Sequence, residues 1–145
     1  MSDGPNGVRG ESLGAYRTSG VNIPTSIVIG ASWDVGLAYR LGVLLGREAV
    51  RKAVDVLLVP TVNLHRTSIW GRTFESFSED PELTARLASA IVRGVQSHDV
   101  AITVKHFAGN DTEIDRMTVD VRVDDAVLRE FYPRPLEATV IDAGA

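Results

Sequence analysis

The chain is 145 residues long, 44% hydrophobic and 23% charged, with a net charge of −4 and a pI near 5.3. That length carries one domain with a real core, and an acidic balance without a basic run argues against a nucleic-acid partner. The chain has no cysteine, which excludes disulfides and thiolate metal sites, and no apolar run long enough to span a membrane.

The opening Met1-Ser2-Asp3-Gly4-Pro5 has no charged segment leading into an apolar stretch. No signal peptide is expected from it, which favours the cytoplasm as compartment. Asp3 to Gly20 reads as a Gly/Pro-bearing loop. Ser26-Ile27-Val28-Ile29-Gly30 is short, apolar and β-branched, so it reads as a buried strand. A helix is predicted from Trp33 to Ala53, capped by Ser32 or Asp34, with Val35, Ala38, Leu41, Leu45 and Ala49 on one stripe. Val54 to Val59 reads as a second strand stopped by Pro60, and Val100 to Val104 as a third. Between them Asp80 caps a helix with Pro81 at its first position, where the missing N–H costs nothing. Leu83, Leu87, Ile91 and Val95 line that helix. Asp124 or Asp125 caps a last helix bearing Leu128, Phe131 and Leu136, which Pro133 and Pro135 should kink or break.

The order β-α-β-α-β-α, with strands apolar enough to be buried on both faces, points to a parallel sheet with helices outside. Two architectures fit at this level, a doubly wound open sheet and part of a (β/α)8 barrel. A whole barrel needs about 250 residues, more than this chain has. In both architectures the site forms at the carboxyl ends of the strands. The loop from Thr61 to Glu79 is far longer than usual and carries His65, Arg66, Trp70, Arg72, Glu75 and Glu79. The third strand runs directly into Lys105-His106, and its loop adds Asn110, Asp111, Glu113, Asp115 and Arg116.

Each candidate has a plain alternative. Lys105 and His106 can donate to the hydroxyls of a bound ligand or end a strand in solvent. Arg72 and Arg116 can each bridge a carboxylate and a hydroxyl with the guanidinium fork, or form surface ion pairs. Asp3 can accept from two hydroxyls, or serve as a turn residue before Gly-Pro. Trp70 can stack on a ligand face or pack under its loop. His65, His98 and His106 lack metal-ligand spacing, so no zinc site is expected. The glycines near the N-terminus follow no strand, so no dinucleotide fingerprint is present, and no cofactor is expected. Gly-x-Ser-x-Gly is absent too.

Several segments in order carry a resemblance. They are Asp3-Gly4-Pro5-Asn6-Gly7-Val8-Arg9, Ala31-Ser32-Trp33-Asp34, Leu58-Val59-Pro60-Thr61-Val62-Asn63-Leu64-His65-Arg66, Gly71-Arg72-Thr73-Phe74-Glu75-Ser76-Phe77-Ser78-Glu79-Asp80-Pro81 and Val104-Lys105-His106-Phe107. Together they resemble the N-terminal barrel domain of glycoside hydrolase family 3, the β-glucosidases and their relatives. The resemblance implies α/β structure, about three βα units of a partial (β/α)8 TIM barrel with parallel strands, and residues 1–145 forming an incomplete N-terminal catalytic-barrel domain. It implies an O-glycosyl hydrolase acting with retention on terminal nonreducing β-linked sugars, with a β-glycoside as the small-molecule partner and neither nucleic acid nor membrane. Asp3, Arg72, Lys105, His106 and Arg116 would then hold the sugar of the −1 subsite, with Asp3 accepting from hydroxyls and the others donating.

Within the family, the N-acetylglucosaminidase branch continues Lys-His-Phe with a histidine-bearing run, whereas this chain has Ala108-Gly109-Asn110-Asp111-Thr112-Glu113. The sequence therefore looks more like the β-glucosidase and β-xylosidase branch. Retention needs two carboxylates about 5–5.5 Å apart. The family's nucleophile lies in a later barrel strand and its acid/base usually in a second domain, so both are expected beyond Ala145. The isolated chain is then expected to be inactive, with the remainder of the barrel and a second domain as its structural partners. A reading from another class stands beside this one, a noncatalytic carbohydrate-binding or scaffold module.

Overall fold

The computed structural model describes residues 1–9 and 20–145. Three parallel strands, β1 (Ser2–Asp3), β2 (Val56–Leu58) and β3 (Ala101–Ile102), lie side by side in chain order. Ser2 pairs with Leu57 and Asp3 with Leu58; Val56 pairs with Ala101 and Leu57 with Ile102. The first strand is therefore at the N-terminus, in a segment read from sequence as loop. Of that loop reading, Asp3 to Gly20, the part from Gly10 to Ser19 lies outside the described residues.

Ser26 to Gly30, expected as a strand, lies instead in helix α1 (Ser26–Ser32). Its buried residues, Ser26, Ile29 and Gly30, follow helical spacing, while Ile27 and Val28 face solvent. Local β-propensity is a weak preference that packing overrides. Here the decisive contact is Gly30 against the next long loop. A Cβ at that position would sit 2.0 Å from the Phe77 carbonyl oxygen.

Asp34 caps α2 (Val35–Arg51), its Oδ1 accepting from Leu37 N at 2.8 Å. Ala38, Leu45 and Ala49 are buried as expected, whereas Val35 is exposed. Asp80 caps α3 (Pro81–Gln96) by accepting from both Glu82 N and Leu83 N, with Pro81 at the first position. Leu87, Ile91 and Val95 are buried and Leu83 is partly so. The two helices meet backbone to backbone at Gly42, where a Cβ would lie 2.5 Å from the Ile91 carbonyl oxygen. Leu57 and Val59 of the β2 strand and its exit join these helix residues in one apolar core.

The sheet is not buried on both faces as the apolar runs suggested. Leu57 is buried, but Ala101 and Thr103 are exposed and Val56 and Leu58 only half-buried. The helices cover one face, and no element among the described residues covers the other. Toward the C-terminus the two prolines do break the helix. Asp124 caps α4 (Asp125–Glu130), α5 (Pro133–Glu137) follows, and a π-helical turn spans Ala138–Asp142. Leu128 and Phe131 stay exposed, and it is Tyr132, Pro135, Ala138 and Thr139 that are buried.

Candidate functional site

The three strand exits converge. Asp3 closes β1, and its Oδ1 accepts a 2.7 Å hydrogen bond from Lys105 Nζ across 102 residues of sequence. Beyond β3 the pairing resumes at a bridge between Thr61 and Lys105. Lys105 N donates to Pro60 O at 3.1 Å, and Val62 N donates to Lys105 O at 2.6 Å. Lys105 is thus fixed by backbone bonds, and His106 begins where the ladder stops. The Lys105–His106 peptide is cis, as is Val59–Pro60.

Arg72 comes from the long loop after β2, at the entrance of a 3-10 turn, Thr73–Glu75. Its Nε donates to Glu75 Oε1 at 2.5 Å, while Thr61 Oγ1 donates to Glu75 Oε2 at 3.2 Å. Arg72 Nη2 lies 3.1 Å from His106 Nε2, and Nη1 lies 3.7 Å from Glu113 Oε1. The other Glu113 oxygen accepts from Arg116 Nη1 at 3.1 Å. Asp3, Lys105, His106, Arg72 and Arg116 therefore form one chain of contacts, closed by Glu75 and Glu113. An open cleft of about 470 Å³ is lined by Arg72, His106, Asn110 and Arg116 on its polar side and by Met117, Val119 and Val121 on the other. Asp3 and Lys105 are not in that lining, so cleft and cluster overlap without coinciding.

The charges balance. Carboxylates Asp3, Glu75 and Glu113 face cations Lys105, Arg72 and Arg116. A set so compensated suits a neutral ligand rich in hydroxyls better than an anion. The hydrogen bond from Lys105 holds the Asp3 carboxyl below the usual range, against a smaller opposing push from burial. Burial pushes Glu75 up, but its bonds from Arg72 and Thr61, with the neighbouring positive charge, leave it below its ordinary value. Burial lowers His106, and the Arg72 and Lys105 charges lower it further, so the neutral ring is favoured.

Other candidates fall away. Trp70 is buried at 4% exposure and packs under its loop. His65 Nε2 lies 3.0 Å from the Ser76 carbonyl oxygen, tying it to its own loop. Among the described residues no group of three possible ligands could hold a metal, and no helix is long and apolar enough to cross a membrane. Sequence reasoning gave no role to Asn63, which lies behind His106. Its only signal was its place inside the strand-exit segment.

A parallel sheet with helices packed against it and a charge-balanced polar rim at its strand exits defines an α/β segment of (β/α)8-barrel type. The model of the glycosyl hydrolase family 3 N terminal domain matches residues 9–145, and the chain belongs to that family. It is 49% identical over 144 residues to a β-glucosidase of Rhizobium radiobacter, covering 99% of this chain and 18% of that protein. Among solved structures, β-glucosidase 3B of Thermotoga neapolitana, in complex with α-D-glucose, superposes with a TM-score of 0.90 at 39% identity, over 96% of this chain and 20% of that one. The Kluyveromyces marxianus β-glucosidase in complex with glucose superposes at 0.92 with 38% identity, over 98% of this chain and 17% of that one. The chain thus spans about a fifth of the length of these relatives, and its strands are part of a (β/α)8-type barrel.

Proposed function

We propose that this chain forms the sugar-holding part of a retaining β-glycosidase of β-glucosidase type, with Asp3, Arg72, Lys105, His106 and Arg116 holding the terminal nonreducing sugar in the −1 subsite. The observation that carries the reading is the convergence of these five residues, from three strand exits, into one charge-balanced cluster. Relatives whose structures hold glucose support the same ligand class. Fixing the ring by its hydroxyls allows those contacts to strengthen as the ring flattens toward the oxocarbenium-like transition state.

The carboxylates of the cluster suit positioning rather than chemistry. A general acid needs a raised pKa, whereas Asp3 and Glu75 are lowered by their cation partners. That argues against Asp3 and Glu75 as the acid, and the family resemblance leads us to assign both the nucleophile and the acid/base to groups outside residues 1–145, and these residues to an incomplete N-terminal barrel domain. Exposed apolar side chains on the loop after β3, including Phe107 at 87% and Met117 at 86%, offer surface for the remaining units to cover.

An assay with aryl β-glucosides tests the division of labour. The isolated chain should give no turnover, and the longer protein carrying these residues should be active. Turnover by the isolated chain that disappears on mutating one of its own carboxylates would overturn the assignment.

A further inference from the structure

His106 is supported from behind by a buried polar network. Asn63, 4% exposed, uses its whole amide. Its Oδ1 accepts from His106 N at 3.1 Å and faces His106 Nδ1 at 2.9 Å. Its Nδ2 donates to the Asn110 carbonyl oxygen at 3.0 Å and to Asp111 Oδ1 at 3.3 Å. The amide orientation is fixed at both ends, because a backbone N–H only donates and a carbonyl oxygen only accepts. An oxygen facing Nδ1 requires the ring proton to be there. At the opposite edge of the ring the Arg72 guanidinium only donates, so Nε2 must be bare. Both edges give the same tautomer.

Asp111 is itself braced. Its second oxygen accepts from Tyr132 OH at 2.9 Å, and Tyr132 lies beneath the Arg66 guanidinium, 6.0 Å from the ring centre. Burial and the neighbouring carboxylate push the Tyr132 hydroxyl up to about 12, so it remains a donor at ordinary pH.

We propose that Asn63, braced by Asp111 and Tyr132, is a positioning residue that holds His106 as the Nδ1–H tautomer and so makes Nε2 an acceptor for a sugar hydroxyl. The last clause rests on the sugar-holding reading above. It reverses the donor role that the resemblance implied for His106. A hydroxyl entering between Arg72 and His106 would accept from the guanidinium and donate to Nε2. That pairing selects a hydroxyl over a group that can only donate or only accept.

The test is a long-range ¹H–¹⁵N correlation spectrum of the histidine-labelled, sugar-free protein carrying these residues, near neutral pH. The expected result for His106 is a protonated Nδ1 and a bare Nε2. An Nε2–H ring or an imidazolium would overturn the proposal. In Asn63→Ala only the Arg72 contact is left to restrain the ring, so its signals should shift toward exchange-averaged values, with kcat/KM on a β-glucoside falling about 10- to 100-fold; unchanged ring signals in that variant would assign the tautomer to Arg72 and overturn the role of Asn63. Should Asn63→Ala fail to fold, Asp111→Ala and Asp111→Asn give the comparison. The first should lose about tenfold in kcat/KM, and the second, which keeps an acceptor for Asn63, should recover most of that. Equal losses in the two would refute the bracing role. The ring signals are read without sugar, so they judge Asn63 separately from the glycone reading. A wild-type protein with the Nδ1–H ring that binds no glucose would remove the acceptor role and the sugar-holding reading together.

Discussion

The helical layer and the rim of strand exits are held by different forces. Between α2, β2 and α3 the chain is positioned by close apolar packing, with Leu57, Leu87 and Val95 fully buried and Gly42 against the α3 backbone. At the rim, half-exposed side chains are positioned by ion pairs and hydrogen bonds, one partner at a time. The packed layer fixes where the strands end, and the polar network fixes which atoms the rim offers. Stability and recognition should therefore respond to different substitutions.

Leu87→Ala should have the largest effect on folding. It empties a fully buried site on α3, at a cost of about 2–5 kcal/mol by urea unfolding. The sugar contacts should be little changed in the protein that still folds. A loss under about 1 kcal/mol would mean that the α2–α3 layer is not the stabilising region.

At the rim the balance should invert. Lys105→Ala and Arg72→Ala each remove a charge-assisted hydrogen bond worth about 1.5–3 kcal/mol, or roughly one to two decades in kcat/KM on a β-glucoside. Arg116→Ala should cost less, because that side chain is half exposed and pairs with Glu113 alone among the described residues. Steady-state kinetics of the three would show the ranking, and near-wild-type values for both Lys105→Ala and Arg72→Ala would remove them from the sugar.

A smaller effect follows from acid. Burial pushes the Glu75 carboxyl up, but its bond to Arg72 holds it below the ordinary carboxylate range. A depressed carboxyl contributes stability that is present above the unfolded pKa and lost as pH falls through the folded one. Without Arg72, burial should leave Glu75 raised instead. The stability gap between wild type and Arg72→Ala should therefore be full once pH exceeds the raised Glu75 carboxyl of the variant, and close as acid protonates Glu75 in both. Urea unfolding at a series of pH values checks this, and a gap unchanged down to pH 3 would assign the loss to packing.

The parts legible in sequence were those set by neighbours along the chain. Asp80-Pro81 marked the start of α3, Asp34 was one of the two caps considered for α2, and Pro133 was one of the two prolines expected to kink or break the last helix, because caps and prolines act within one turn. Helix α1 was misread because Ile27-Val28-Ile29 has strand propensity, and only the contact with Phe77, far along the chain, reveals the helical face. The two-residue β1 was too short to show any alternation. Arg72, Lys105 and His106 were named from motifs, and the structure brings them together. Asn63 was not, because its role depends on His106, Asn110 and Asp111, all more than forty residues away.

The most direct test is a crystal structure of the longer protein carrying these residues with glucose bound. The expected result is a sugar ring whose hydroxyls lie within about 2.7–3.2 Å of Asp3, Lys105, Arg72 and His106 Nε2. Glucose bound elsewhere, with the Asp3–Lys105 and Arg72–His106 pairs still closed on each other, would contradict the sugar-holding role.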